Sequence, residues 1–114
     1  NSNYGRAFAH YLVFFELVGH KKDKYEKQFA EILCVWGKFL EERNQVEDLC
    51  KCYLQALNYF PLNTQILNNF GAHLLRIGEY EEAKKYLQLA HTLAPDFLLA
   101  EKNLITLRGQ LIER

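Results

Sequence analysis

Apolar positions recur along this chain at helical spacing, in stretches separated by Gly, Pro, Asn and Asp. The first runs from Tyr4 to Val18, where Ala7, Tyr11, Phe14, Phe15 and Val18 fall on one face. Gly19-His20-Lys21-Lys22 breaks it, and Asp23 is placed to cap a long helix from about Lys24 to Arg43. At 1.5 Å per residue such a helix spans roughly 30 Å, and Lys21, Lys22, Lys24 and Lys27 are expected to coat its overhanging start as a solvated face. Val46 to Tyr59 follows, with Leu49, Cys50, Tyr53, Ala56 and Leu57 inward. Asn63 is positioned to cap Thr64 to Ile77, and Tyr80 to Leu93 pairs with that helix. Asp96 is placed to cap a last helix reaching about Glu113, with Ala100, Leu104, Leu107 and Leu111 as its single apolar stripe.

A second period lies over the first. Trp36-Gly37, Leu40, Tyr53, Ala56 and Pro61 recur as Phe70-Gly71, Leu74, Leu87, Ala90 and Pro95, each pair 34 residues apart. A sustained period of about 34 with helical content marks the tetratricopeptide repeat, two antiparallel helices per unit. Glycine inside a helix costs about 1 kcal/mol against alanine, so Gly37 and Gly71 imply a close crossing, with Ala56 and Ala90 as the small partners across it. Trp36 and Phe70 would fill the space beside that crossing, and Pro61 and Pro95 end the second helices. Gly78 makes the tight turn of the later unit, and Asn44-Gln45 takes that place in the earlier one.

The expected fold is all-α: antiparallel helix pairs in a right-handed superhelix, one repeat domain over residues 1–114. Residues 4–19 read as the second helix of a partial repeat, 24–61 and 63–95 as complete repeats, and 96–114 as a capping helix. The cap closes the stack, as a solenoid requires for solubility. The partner of the first helix would lie before Asn1, which leaves the face carrying Phe8, Tyr11 and Phe15 as an open aromatic patch able to drive end-to-end pairing.

Composition narrows the function classes. Lys plus Arg balance Asp plus Glu at 14 each and the pI is near 7.1, so nothing electrostatic favours nucleic acid or an anionic membrane. Tyr11 to Val18 is the longest apolar stretch and is interrupted by Glu16, well short of the ~18 residues of a membrane span. The chain has no Met and starts Asn1-Ser2-Asn3, which reads as a piece of something longer. Three cysteines, Cys34, Cys50 and Cys52, on helices suit a reducing compartment, hence an intracellular protein of cytoplasm or nucleus.

Catalytic and metal patterns are not evident. Cys50 and Cys52, two apart on a helix, point to different faces. His10, His20, His73 and His91 are scattered and read as helix-surface residues, and Glu41-Glu42 and Glu81-Glu82 as solvated charges. No glycine-rich phosphate loop stands in the sequence. The expectation is a binding module with no cofactor and no metal.

Its binding surface would be the concave side, lined by the first helix of each unit. Non-core positions there are Glu31, Cys34, Lys38, Glu41 and Glu42, then Gln65, Asn68, Asn69, Ala72 and Arg76, then Lys102, Asn103 and Thr106. Lys38, Gln65, Asn68, Asn69, Arg76, Lys102 and Asn103 are the candidate peptide groove, since amides pair both donors and acceptors of a peptide backbone. Asn68 and Asn69 are read as surface positions where Ala would be neutral. A co-chaperone-type clamp for an acidic tail is the alternative adaptor, but Cys34, Ala72, Leu99 and Asn103 stand where that clamp wants Lys, Asn, Lys and Arg.

Beyond the repeat, several runs carry a more specific resemblance. They are Tyr4-Gly5-Arg6-Ala7-Phe8-Ala9-His10-Tyr11-Leu12, Cys52-Tyr53-Leu54-Gln55-Ala56-Leu57 with Phe60-Pro61, Gly71 to Gly78, Ala94-Pro95-Asp96-Phe97 and Leu111-Ile112-Glu113-Arg114. In this order, with the half-repeat and the extra residues after it, the chain resembles the amino-terminal repeat region of the type 9 protein arginine N-methyltransferases. The resemblance implies a scaffold beside a methyltransferase domain that uses S-adenosylmethionine to dimethylate arginine symmetrically in a splicing-factor subunit. It places the catalytic glutamates and cofactor loop downstream of Arg114, so this segment would recruit or orient protein substrate, or brace its own catalytic domain.

Overall fold

The aromatic and aliphatic periodicity is realised as helices throughout the computed structural model, which describes residues 2–113. Among the described residues six α-helices run in order: α1 Ser2–Leu17, α2 Glu26–Glu42, α3 Val46–Tyr59, α4 Thr64–Arg76, α5 Tyr80–Leu93 and α6 Leu98–Glu113. A 3-10 segment, Gly19–Tyr25, joins α1 to α2, and the described residues hold no strand. The chain divides into two compact units, residues 1–61 and 62–114.

In the first unit, α1, α2 and α3 pack together around an aromatic centre. Phe15 and Phe29 are fully buried; their rings meet edge to face at 5.1 Å, and Phe8 stacks on Phe29 at 5.3 Å. Phe60 closes the cluster at 5.4 Å from Phe15 and 5.7 Å from Phe29. Each such ring stabilises the fold by about 1.5–3 kcal/mol through burial, with edge-to-face geometry adding to it. The open patch expected on α1 is therefore not there. Phe8 is 4% and Phe15 1% exposed, covered by α2 and the end of α3 within the unit, and Tyr25 of the 3-10 segment covers Tyr11 and Phe14. A hollow of about 280 Å³ beside Ala7, His10, Tyr11, Phe14 and Tyr25 remains on that face.

The 3-10 segment also corrects the start of the long helix. Asp23 lies inside this segment and does not cap α2; its carbonyl accepts from the Glu26 N–H, and Tyr25 stands at the cap position without a side-chain bond. The α2 helix begins at Glu26, at about 26 Å long. Lys22 is not a solvated charge either. Its Nζ donates to the Tyr59 carbonyl at 2.7 Å and lies 5.5 Å over the Phe60 ring, a cation on the last turn of α3, where the helix dipole favours one. Lys21, Lys24 and Lys27 are exposed as expected.

Trp36 is half-buried rather than central. It stacks on Phe39 at 5.2 Å and covers Gly5 of α1, where an added Cβ would sit 2.8 Å from the indole. Cys50 and Leu57 are likewise only partly buried, while Leu49, Tyr53 and Ala56 are inward.

In the second unit, α4, α5 and α6 pack mutually. Asn63 caps α4 as its sequence position requires, its Oδ1 accepting from the Ile66 N–H at 2.9 Å. Phe70, Leu74, Ala83, Leu87 and Ala90 are buried, and Phe70 meets Tyr86 at 4.7 Å. The α6 helix starts at Leu98, one residue later than an Asp96 cap would give; Phe97 supplies the first carbonyl, to Ala100 and Glu101. Its stripe of Ala100, Leu104 and Leu107 is buried, with Leu111 partly so.

The 34-residue period is present in the backbone itself. The α3 and α5 helices are both 14 residues and begin and end in the same register. Asn44 and Gly78 both take left-handed φ, 60° and 84°. Around each, the same two bonds close the preceding helix: Gln45 N–H to the Leu40 carbonyl with Asn44 N–H to that of Glu41, and Glu79 to Leu74 with Gly78 to Leu75. Asn tolerates the left-handed region, which is why Asn44 can stand where the later unit has Gly.

Candidate functional site

The residues expected to line a binding groove divide between surface and interior. On α2, Glu31, Lys38 and Glu42 are exposed, with Cys34 and Glu41 half-buried, all in the first unit. On α4, Gln65, Asn69 and Ala72 are half-buried and Arg76 is exposed. Their spacing of three and four residues sets them in one row along the helix. On α6, Lys102 and Thr106 are exposed and Asn103 is half-buried.

Asn68 corrects the sequence expectation most sharply. It is 3% exposed, not a surface amide, and its Oδ1 accepts from Asn103 Nδ2 at 2.9 Å across the α4–α6 contact. The pair satisfies two polar groups that would otherwise be costly to bury. It links α6 to α4, while Gln65, Asn69 and Ala72 of α4 stay half-buried and Lys102 and Thr106 of α6 stay exposed. The α4 helix is buried on two sides, by α5 and by α6, and a 3.6-residue pattern gives a helix a face but not the width of that face.

His73 is a second interior polar residue, 1% exposed on α4 rather than at the surface. Cys52 is half-buried, and burial is the main cause that pushes its thiol above its ordinary value, against a hydrogen bond from the Trp36 side chain that lowers it. A thiol held neutral in this way is a poor nucleophile. Among the described residues no three His, Cys, Asp or Glu side chains are grouped as a metal ion would need. Among them, too, no helix is long and apolar enough to cross a membrane.

No family model matches the chain. Similarity to individual proteins is stronger. Protein arginine N-methyltransferase 9 of Mus musculus is 37% identical over 114 residues, and that of Homo sapiens 37% over 112. The Xenopus laevis protein is 36% identical over 114 residues. These alignments cover 98–100% of this chain but 13–14% of the relatives, so the chain spans about a seventh of their length. A shorter likeness, 31% over 67 residues and 59% of this chain, is to the BBSome complex member bbs-4 of Caenorhabditis elegans. Along its full length, then, this chain is homologous to one segment of protein arginine N-methyltransferase 9.

Proposed function

We propose that this chain is a non-catalytic tetratricopeptide-type module of a protein arginine N-methyltransferase, and that it holds protein substrate for the catalytic domain. The observation that carries the reading is the coincidence of two facts: similarity over 98–100% of this chain to that enzyme in three vertebrates, and helix pairs whose ends and capping bonds repeat at 34 residues. That period is the one two-helix repeats use to build extended binding surfaces. In this reading each repeat is an antiparallel helix pair whose first helix carries the binding positions. The parent enzyme transfers methyl groups from S-adenosylmethionine to arginine, symmetrically, on a splicing-factor subunit; the cofactor is bound outside this segment. The module works inside the cell, in cytoplasm or nucleus, on a protein partner and not on nucleic acid or membrane.

The contact surface is the accessible row of α4 with the neighbouring polar positions of α6: Gln65, Asn69, Arg76, Lys102 and Asn103. Amides and cations of this kind pair with peptide carbonyls and side-chain carboxylates. Asn68 serves indirectly, by holding Asn103 in place. The test is a pull-down of the splicing-factor substrate with residues 1–114 alone and with the parent enzyme lacking them. Recruitment predicts that the isolated module retains the substrate and the shortened enzyme does not. Retention by the shortened enzyme only would assign the module to bracing its own catalytic domain.

A further inference from the structure

The link between α1 and α2 is held differently from the helices it joins. Gly19–Tyr25 is a seven-residue 3-10 segment, and none of its residues is buried. Such runs seldom exceed about three or four residues, because 3-10 hydrogen bonds have poorer geometry than α-helical ones. Gly19 at its start stands in open space, where a Cβ would meet nothing within 4 Å. The helices beneath do not need the segment for their own contacts. The α1, α2 and α3 helices touch one another directly, and the rings of Phe15, Phe29 and Phe60 pack together at 5.1–5.7 Å.

Two side chains tie the segment down. Tyr25 sets its ring edge to face with Phe14 at 5.2 Å and lies 6.1 Å from Tyr11. Lys22 reaches across 37 residues of sequence, its Nζ 2.7 Å from the Tyr59 carbonyl and 5.5 Å over the Phe60 ring. An ammonium hydrogen bond to a helix-end carbonyl is of the stronger kind, and the ring beneath adds a cation–π attraction. We infer that Gly19–Tyr25 is a strap that opens and closes as one piece over the packed α1, α2 and α3, with Lys22 as its latch. Local opening of this sort belongs to segments with exposed backbone and few buried apolar contacts. Opening takes away the Tyr25 wall of the hollow beside Ala7, His10, Tyr11 and Phe14, and uncovers the Tyr11 and Phe14 rings. It leaves Phe29 and Phe15 covered by Phe8 and Phe60, so the core stays shut. The strap thus sets when the aromatic face of α1 is presented, and the charge on Lys22 sets the balance between the two states.

Strap opening is a property of the first unit and is independent of substrate recruitment, so a failed pull-down leaves it standing. Amide hydrogen exchange of the full-length parent polypeptide, read by mass spectrometry, compares wild type with Lys22→Met. Methionine keeps an apolar stem and removes the charge and the donor. In the wild type, amides of residues 20–26 are expected to exchange faster than those of residues 33–40 in α2, through openings that leave α2 closed. Lys22→Met should speed exchange over 20–26 by about tenfold, because the closed form loses an ammonium hydrogen bond, with 33–40 unchanged. Three results would overturn the inference: equal protection of the two stretches in the wild type, a variant that speeds both alike, or one that leaves 20–26 unaltered.

Discussion

Gly37 and Gly71 hold equivalent places in the two helix pairs but meet different constraints. A Cβ on Gly71 would lie 2.6 Å from Leu87 Cγ and 3.3 Å from the Leu87 backbone nitrogen, and Leu87 is fully buried. A Cβ on Gly37 would meet Tyr53 Oη at 3.2 Å and Leu49 Cδ1 at 3.3 Å, the outer atoms of side chains. The partners of the crossing are thus Leu87, Tyr53 and Leu49 rather than Ala56 and Ala90, which are buried nearby. Gly71→Ala is expected to destabilise by about 1–3 kcal/mol through overpacking, and Gly71→Val by more. Gly37→Ala should fall within about 1 kcal/mol of wild type, because the helix-propensity gain offsets the tighter contact. Thermal melts of the two alanine variants check this; equal melting points would show that the closeness at Gly71 is not what requires glycine there. The asparagines give a second contrast. Asn68→Ala leaves the Asn103 amide without its acceptor and should cost about 1–3 kcal/mol, whereas Asn69→Ala should stay within about 0.5 kcal/mol. Denaturant midpoints distinguish them, and an unaffected Asn68→Ala would remove the structural role of the pair.

At the scale of elements, the cap of α4 and both ends of α3 and α5 were legible in the sequence, while the starts of α2 and α6 were not. Asn63, Pro61, Pro95 and Gly78 act through local backbone chemistry, and the bounds of α3 and α5 follow from the apolar period without correction. The Gly19–Tyr25 segment was less legible. A short 3-10 turn has no period long enough to read, and its position depends on Tyr25 packing on Tyr11 and Phe14 and on Lys22 reaching the end of α3. The left-handed turn at Asn44 carries a direct test of the shared capping. Asn44→Gly should leave stability unchanged or raise it by up to about 1 kcal/mol, since glycine takes positive φ without steric cost. Asn44→Val should lower it by about 1–2 kcal/mol, because a side chain branched at Cβ is strained there. A valine variant as stable as wild type would mean that the turn can change its backbone and is not fixed by the two capping bonds.

For the whole molecule, the all-helical class and the 34-residue period could be read from spacing alone, but what each face meets could not. The row on α1 through Phe8, Tyr11 and Phe15 has the pattern of an exposed aromatic patch only if Phe29, Tyr25 and Phe60 are elsewhere; packing brings all three to it. Asn68 and His73 are polar residues whose interior position follows from α4 lying between two helices, a tertiary fact without a local signal. Of the positions expected to line a groove, Gln65 and Asn69 are half-buried and Lys102 is exposed, while Asn68 turns inward to α6. The central claim is that this accessible row holds protein substrate. Its most direct measurement is a calorimetric titration of the parent enzyme with the proposed splicing-factor substrate, comparing wild type with the triple change Gln65→Ala, Asn69→Ala and Lys102→Ala. The account predicts an affinity lower by about tenfold, a loss near 1.4 kcal/mol, with an unchanged melting point. Unchanged affinity would contradict it.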